Sequence, residues 1–166
     1  MIVRPIIKED LSLRVQWMND PSIYSSMHFE VPITLENTIQ WYDKNRNSDL
    51  RSDVCFIDNG AIVAFGGLTS IDSQLKKAEL YIFVNPQSHK SGIGTQATIL
   101  LCKYGFEKLD LHKIYLFTNE DNISAIKVYQ KCGFLLEGRH RDEYLINNRF
   151  KDRLYFGLLK EEFHAE

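Results

Sequence analysis

The sequence predicts one mixed α/β domain, with a central mixed sheet of six to seven strands flanked by about four helices. Its 166 residues fit a single domain that buries about two thirds of its unfolded surface. Apolar residues recur with a period of about 3.6 in some segments and about 2 in others, which predicts both helices and strands. The predicted order, β-α-α-β-β-β-α-β-α-β-β, differs from the repeated βαβ of doubly wound folds. We expect one domain over residues 1–166.

The first third of the chain is predicted to form a strand followed by two helices. Residues 2–6 form the strand, and Asp10 or Ser12 is placed to cap the first helix. The stretch NDPS (19–22) is expected to end that helix, because proline restrains the residue before it. Thr34 precedes a second amphipathic segment and is its predicted N-cap.

The middle third changes to the two-residue period of strands. Two β-rich runs flank Asn59 and Gly60, a pair that indicates a two-residue hairpin turn. In the next run, 77–85, Ala78 and its even-numbered neighbours face one side, while Glu79 and its odd-numbered neighbours face the other. These runs predict an antiparallel meander.

The last part of the chain alternates helix and strand and ends in a hairpin. Residues 94–109 carry apolar side chains at the i, i+3, i+4 and i+7 positions of a helix. A strand over 112–119 follows, and the next helix ends at Gly133, a residue suited to a left-handed C-terminal turn. Asn147 and Asn148 separate the two final strands.

Composition argues against several function classes. The net charge of −2 provides no basic field for nucleic acid, and no apolar run approaches the roughly 18 residues of a membrane span. The histidines are scattered without metal-ligand spacing. Three cysteines without CxxC spacing indicate a reducing cytoplasm: Cys55, Cys102 and Cys132. We expect a cytoplasmic protein without a metal, membrane or nucleic-acid partner.

The stretch FVNPQSHKSGIGTQA (83–97) provides the first functional hypothesis. A strand that leads into glycines and then a helix is a common phosphate cradle, because free N–H groups collect at the helix N-terminus. The loop lacks the GxxxxGK[ST] of nucleoside triphosphate sites and the acidic partner of dinucleotide sites. Gly92 and Gly94 alone are equally consistent with a turn that requires a positive φ.

A second motif is NISAIKVYQKCGF (122–134). Asn122 and Tyr129 are seven residues apart, so they share a helix face and lie about 10 Å apart along its axis. Taken singly, Asn122 is better explained as a helix N-cap and Tyr129 as a core aromatic residue. Together with the glycine loop, they point to one site.

HKSGIGTQA and NISAIKVYQKCGF resemble the motifs of the GNAT superfamily of acetyl-coenzyme A-dependent N-acetyltransferases. The first follows Q/R-x-x-G-x-G/A except at His89, and the second follows N-x-x-[SA]-x-x-x-Y-x-[KR]-x-G-F. The resemblance implies acetyl-CoA as acyl donor, splayed fourth and fifth strands, and a pyrophosphate held mainly by backbone N–H groups. The implied cofactor-binding residues are Phe83, Val84, His89, Lys90, Ser91, Gly92, Ile93, Gly94, Thr95, Asn122 and Lys131.

The resemblance also implies direct attack of an amine within a ternary complex. A lysine-like amine has a pKa of about 10.4 and must lose a proton, for which Glu79 is the implied base, acting through water. A backbone N–H at Phe83 or Val84 stabilises the oxyanion. Tyr129 protonates the departing thiolate, and Asn122 holds the pantetheine arm or assists the tetrahedral centre. The other interpretation of Glu79 is a surface carboxylate paired with a lysine.

The acceptor is expected to be a small-molecule primary amine. The chain is similar to the subgroup of ribosomal-protein N-terminal, spermidine and nucleotide-amino-sugar acetyltransferases, and a nucleotide-linked amino sugar is the first choice. A protein N-terminus or a polyamine is the alternative, as is a CoA-binding interaction module without catalysis; a homodimer is a further candidate. Acids that could bind a polyamine are Glu30, Glu36, Asp43 and Glu79. Aromatic residues expected to wall the acceptor site are Trp17, Tyr24, Phe29, Trp41, Tyr42 and Tyr144.

Overall fold

A computed structural model describes residues 1–88, 92–146 and 148–164 and shows a seven-stranded sheet with helices packed on it. The strands are β1 (Ile2–Pro5), β2 (Ser52–Asp58), β3 (Ala61–Asp72), β4 (Lys77–Val84), β5 (Lys113–Asn119), β6 (Leu135–Ile146) and β7 (Arg149–Leu159). The α-helices are α1 (Leu11–Met18), α2 (Pro21–Met27), α3 (Leu35–Asn45), α4 (Ile93–Glu107) and α5 (Ile123–Lys131). Short 3-10 turns lie at Lys8–Asp10 and Lys160–Glu162.

The strand order is β1-β2-β3-β4-β5-β7-β6. Only β4 and β5 pair in parallel, and the other neighbouring strands are antiparallel. The predicted mixed α/β sheet is confirmed, at the upper end of the predicted strand number. In the described ranges none of the helices is long and apolar enough to cross a membrane.

The described residues form five α-helices, one more than the sequence predicted. The additional helix is α2, which begins within the stretch expected only to end α1. Asp20 caps it, because its side chain accepts the N–H of Ser22 at 2.9 Å, and Pro21 occupies the first helical position. Proline is tolerated there, since the N–H it lacks would have no helical partner. The same residues therefore end one helix and start another.

Local capping explains the other helix and hairpin boundaries. Thr34 caps α3 as predicted, accepting the N–H of Asn37 at 3.2 Å. Asn59 and Gly60 have φ values of 50° and 79°, which the primed hairpin turn requires. Asp10 precedes α1 but makes no side-chain cap; its carboxylate instead pairs with Arg4 at 2.6 Å.

Each face of the sheet carries its own core. The face covered by α4 and α5 buries residues such as Leu80, Leu101 and Phe156. The opposite face, covered by α1, α2 and α3, buries Trp17 and Phe83 among others. The alternation along β4 is thus as predicted, with even-numbered residues toward α4 and odd-numbered residues toward α1.

The parallel pairing of β4 with β5 is short. It joins Lys77–Glu79 to Lys113–Tyr115, and the register ends there. The remaining part of β4 pairs only with β3, while β5 continues along β7. The two strands therefore diverge toward their carboxyl ends and open a wedge in the sheet. This is the predicted splay of the fourth and fifth strands.

Candidate active site

A cavity of about 290 Å³ occupies this wedge, and we call it the wedge cavity. It is enclosed by β4, β5, α2, the first turn of α4 and the inner face of α5. Its lining residues are Ser22, Ile23, Ser26, Met27, Ile82, Phe83, Val84, Ser88, Ile93, Gly94, Phe117, Thr118, Asn122, Ser124, Ala125, Val128 and Tyr129. The two predicted motifs thus meet in one concave site.

The glycine loop leads directly into the first turn of α4. Gly92 is the N-cap residue with a φ of 98°, a conformation that side chains rarely adopt, and among the described residues no side chain caps the helix. The N–H groups of a first turn have no partner within the helix, so those of α4 can receive an anion. The loop residues fit the predicted pyrophosphate site in this respect.

Gly94 has a different reason to be glycine. Its φ is not in the left-handed region, and a Cβ there would meet Val128 at 3.7 Å and Val84 at 3.9 Å, ordinary contact distances. The protein itself leaves room for a side chain at this point of the wedge cavity. Because Gly94 has no side chain, a ligand can approach its backbone closely. This fits a cofactor at this place.

The remaining loop positions were predicted to bind the cofactor as well. His89, Lys90 and Ser91 lie outside the described residues, so their contribution stays a prediction. Thr95 lies in the first turn of α4, where its carbonyl accepts from Cys132 Sγ at 3.7 Å. Lys131 is exposed at the end of α5 and does not line the wedge cavity.

Tyr129 projects from α5 into the wedge cavity. Only 7% of its surface is exposed, and its ring contacts Phe134 and Phe156 edge-on or tilted at centroid distances of 6.0 and 6.4 Å. Burial raises the pKa of its phenol to about 12. The hydroxyl thus stays protonated at neutral pH and is available as a donor inside an apolar site.

Asn122 lines the same cavity from the start of α5. Its Oδ1 accepts the N–H of Ala125 at 3.2 Å and the hydroxyl of Ser124 at 3.1 Å, so it caps the helix. The capping interpretation is therefore established. Any contact of Asn122 with the pantetheine arm would use the part of its side chain that does not cap the helix.

The carboxyl end of β4 provides the predicted oxyanion donors. Phe83 and Val84 both line the wedge cavity, beyond the last β4 residue that is in register with β5. Backbone groups that a neighbouring strand would normally pair therefore face the opening. This arrangement can present an N–H to a carbonyl oxygen in the wedge.

Glu79 lies on β4 at the closed end of the wedge. It is four residues before Phe83, about 13 Å along the strand, and does not line the wedge cavity. Burial raises the pKa of its carboxyl, opposed by the nearby charge of Arg153. The other predicted acids, Glu30, Glu36 and Asp43, are exposed and not part of this cavity.

An aromatic face lies beside Glu79, formed by Tyr115, Phe117 and Tyr155. Their ring centroids are 5.0 to 6.1 Å apart. Tyr115 is the β5 residue in register with Glu79, so both side chains point to the same side of the sheet. The guanidinium of Arg153 lies 4.5 Å from the centre of the Phe117 ring. Lys113 Nζ lies 5.4 Å from the centre of the Tyr155 ring, so the chain's own cations already cover part of this face.

Sequence analysis missed the contribution of α2, whose residues Ser22, Ile23, Ser26 and Met27 form one wall of the wedge cavity. The signal was present, because aspartate followed by proline is a common start of a helix. It also missed His28, whose Nε2 lies 2.6 Å from Asn119 Oδ1 and whose ring stacks on Tyr144 at 3.7 Å. Nothing local in the sequence indicates that long-range contact.

None of the six aromatic residues expected to wall the acceptor site lines the wedge cavity. Trp17 is 4% exposed and belongs to the core, and Trp41 on α3 contacts the guanidinium groups of Arg14 and Arg51. Tyr144 stacks on His28, the residue that follows α2. In the part of the chain that the structure describes, no cluster of His, Cys, Asp or Glu could hold a metal ion.

A sheet that splays around an uncapped helix N-terminus, with a buried tyrosine between, defines an acyl-thioester-dependent transferase. The family of the acetyltransferase (GNAT) domain matches residues 1–135, and the chain belongs to it. The protein is accordingly an acetyl-CoA-dependent N-acetyltransferase, and the expected enzyme class and acyl donor are confirmed.

Individual relatives extend this match over the whole chain. A spermidine N(1)-acetyltransferase of Escherichia coli K12 is 27% identical over 164 residues, which cover 99% of this chain and 88% of that protein. A putative ribosomal N-acetyltransferase of Bacillus subtilis, YdaF, is 31% identical over 108 residues, or 65% of this chain and 59% of that protein. A Vibrio cholerae spermidine N-acetyltransferase, solved in complex with CoA and spermine, shares the fold with a TM-score of 0.92 at 24% identity, covering 97% and 96% of the two chains.

Proposed function

We propose that this N-acetyltransferase acts on a primary amine of a polyamine. The observation that carries the proposal is the similarity to the Escherichia coli spermidine acetyltransferase over 99% of this chain. The polyamine thereby moves ahead of the nucleotide-linked amino sugar that the sequence analysis ranked first, because that acceptor has no counterpart among the relatives described above. A protein N-terminus stays the second candidate, favoured by the similarity to the ribosomal N-acetyltransferase.

The aromatic face suits a flexible polycation. Ammonium groups bind over aromatic rings, and methylene chains pack against them. Arg153 already lies above Phe117 and Lys113 above Tyr155, so a polyamine would have to bind beside these cations or displace them. Glu79, at the edge of this face, adds a half-buried carboxylate. The four-carbon and three-carbon spacers of a polyamine can span these groups.

In this proposal the residues of the wedge cavity have separate roles in binding the cofactor and in catalysis. Acetyl-CoA supplies the activated acetyl thioester. The first turn of α4 binds phosphate through its free N–H groups, and Gly94 allows a close approach. A backbone N–H at Phe83 or Val84 stabilises the negative charge on the carbonyl oxygen. Tyr129 donates a hydrogen bond to the leaving sulfur; because its pKa of about 12 exceeds the roughly 8.5 of a thiol, the proton stays mostly on the phenol.

Glu79 has two candidate roles in this reaction. Glu79 and Phe83 are about 13 Å apart along the strand. A proton cannot pass directly from an amine near Phe83 to Glu79 over this distance, so a base at Glu79 would need a chain of water molecules. The same distance suits an anchor for the distal ammonium of a polyamine whose other end reacts. We favour the anchor, because it needs no ordered water; the proton that the nitrogen loses then passes to the departing sulfur, and CoA leaves as the free thiol.

Glu79→Gln distinguishes the two roles. An anchor predicts that kcat/KM for spermidine falls about tenfold or more through KM, while n-butylamine, which has one amino group, is acetylated as before. A general base predicts equal losses for both amines and a flattened rise of rate with pH. Glu107→Gln, an exposed acid on α4 that does not line the wedge cavity, is the matched control.

The acceptor itself is tested by release of free CoA from acetyl-CoA with purified protein. The panel contains spermidine, spermine, a peptide with a free N-terminus and a nucleotide-linked amino sugar. Highest kcat/KM with spermidine or spermine supports the proposal, and a preference for another member contradicts it. Tight acetyl-CoA binding without turnover of any amine would leave the interaction module as the better description.

A further inference from the structure

A second cavity, of about 300 Å³, is lined by α1, α3, the segment between α2 and α3, and the residue before β2. We call it the arginine cavity, after Arg14 and Arg51 in its wall. Trp41 also lines it, with the guanidinium carbons of Arg14 and Arg51 at 4.7 and 4.9 Å from its ring centre. In the described ranges the arginine cavity and the wedge cavity share no lining residue.

Arg14 carries a buried positive charge. The residue is 6% exposed, and its guanidinium contacts Met18 Sδ and the faces of Trp41 and Phe83. Its Nε has no hydrogen-bond partner. Among the described residues no carboxylate forms an ion pair with it. A cation buried in this way is costly unless an anion compensates it.

The carboxylate of Asp53, which Tyr81 links to Arg14, is already occupied. Both oxygens of Asp53 accept from Arg51, at 2.6 and 2.8 Å, and Oδ1 also accepts the hydroxyl of Tyr81. The negative charge of Asp53 therefore balances the positive charge of Arg51. The positive charge of Arg14 is left over, so the three side chains together carry one net positive charge. That charge borders a cavity large enough for a small ligand.

We propose that the arginine cavity binds a small oxyanion, a carboxylate or a phosphate. Guanidinium groups are the preferred partners of both, because their fork of N–H donors matches paired oxygens. The amide of Asn37 lines the same cavity and adds polar hydrogen-bonding capacity, while Phe29 and Ile33 form an apolar wall. The site is separate from the amine acceptor and does not depend on its identity.

The test is a calorimetric titration of the full chain saturated with CoA, without amine and at constant ionic strength, so that the first turn of α4 is already occupied. Sodium benzoate and inorganic phosphate are the two probes, which separate a carboxylate with an apolar body from a phosphate. Saturable binding of either probe is expected, weakened about tenfold or more in Arg14→Met. Lys103→Met, on the exposed side of α4, is the matched control and should bind like the parent.

Asn37→Asp is a second variant in case Arg14→Met does not fold. It places a negative charge at the cavity wall, and an acid is favourable in the first turn of α3. Anion binding should weaken while stability is kept. No saturable binding of either probe, or unchanged affinity in folded Arg14→Met or in Asn37→Asp, would overturn the proposal.

Discussion

Tyr129 illustrates at the residue scale how burial decides a chemical role. Its phenol is packed beside Phe134 and Phe156 and has a pKa of about 12. An ionised phenolate would be strongly disfavoured there, so the hydroxyl keeps its proton and can donate a hydrogen bond. The interpretation of Tyr129 as a core aromatic residue describes its ring, and the residue lines the wedge cavity as well.

Tyr129→Phe is expected to lower kcat by about a hundredfold. The ring and its contacts remain, so acetyl-CoA affinity and melting temperature should stay close to those of the parent. Steady-state kinetics and calorimetric binding measure the two effects. Tyr104→Phe, on α4 and outside the wedge cavity, is the control; equal loss in both variants would remove Tyr129 from the mechanism.

Gly92 and Gly94 should respond differently to alanine. Gly92→Ala strains a residue with a φ of 98° and should cost about 1 kcal/mol of unfolding free energy. Gly94→Ala should keep the stability, because a Cβ there makes only ordinary contacts. It should weaken acetyl-CoA binding instead, since the methyl group fills cavity space. Thermal unfolding and calorimetry separate the outcomes, and unchanged cofactor affinity in Gly94→Ala would contradict this account.

At the scale of elements, α2 forms the wall of the wedge that sequence analysis did not foresee. The residue that follows it, the C-cap His28, adopts a left-handed conformation with a φ of 58°. From there it contacts Asn119 at the end of β5 and Tyr144 on β6. One short helix is thus tied to two strands that are distant in sequence, and this tie positions the wall.

His28→Asn should loosen α2 without losing the left-handed turn, which asparagine tolerates. The shorter side chain gives up the stacking on Tyr144 and the contact with Asn119. We expect faster amide hydrogen exchange across α2 and a higher KM for the acceptor, with little change in the rest of the sheet. Ser25→Ala, exposed on the same helix, serves as control. Exchange rates equal to the parent would show that other contacts hold α2.

At the scale of the whole molecule, the N-terminal segment is tied to the sheet by charge. Burial alone would raise the pKa of Asp10, but hydrogen bonds from Arg4 and from the N–H of Ile7 lower it below its usual 3.8. A carboxyl whose pKa is depressed on folding stabilises the protein above its unfolded pKa. That stability is lost as pH falls through the folded value.

Stability is therefore expected to decline as pH drops below about 4. Urea unfolding at a series of pH values measures the slope. Asp10→Asn should be less stable than the parent at pH 7, and the difference should shrink toward pH 2. A difference independent of pH would mean that Asp10 contributes through packing alone.

The local features were readable from the sequence because their causes are local. Alternating apolar residues predicted the faces of β4, Thr34 predicted the cap of α3, and Asn59 with Gly60 predicted the hairpin. The two motifs predicted one shared site, and residues of both line the wedge cavity; binding of the cofactor's pyrophosphate there stays a prediction. The start of α2 was also local but was interpreted only as an end of α1.

Only the tertiary structure decided which residues meet across the sheet. The wedge depends on where β4 stops pairing with β5, and this follows from long-range register rather than from the composition of either strand. The contact of His28 with Asn119, the distance between Glu79 and Phe83, and the uncompensated charge of Arg14 arise in the same way. A sequence shows which groups are present, while hydrogen-bond pairing, burial and charge balance are properties of the folded neighbourhood. They determine which of those groups can act together.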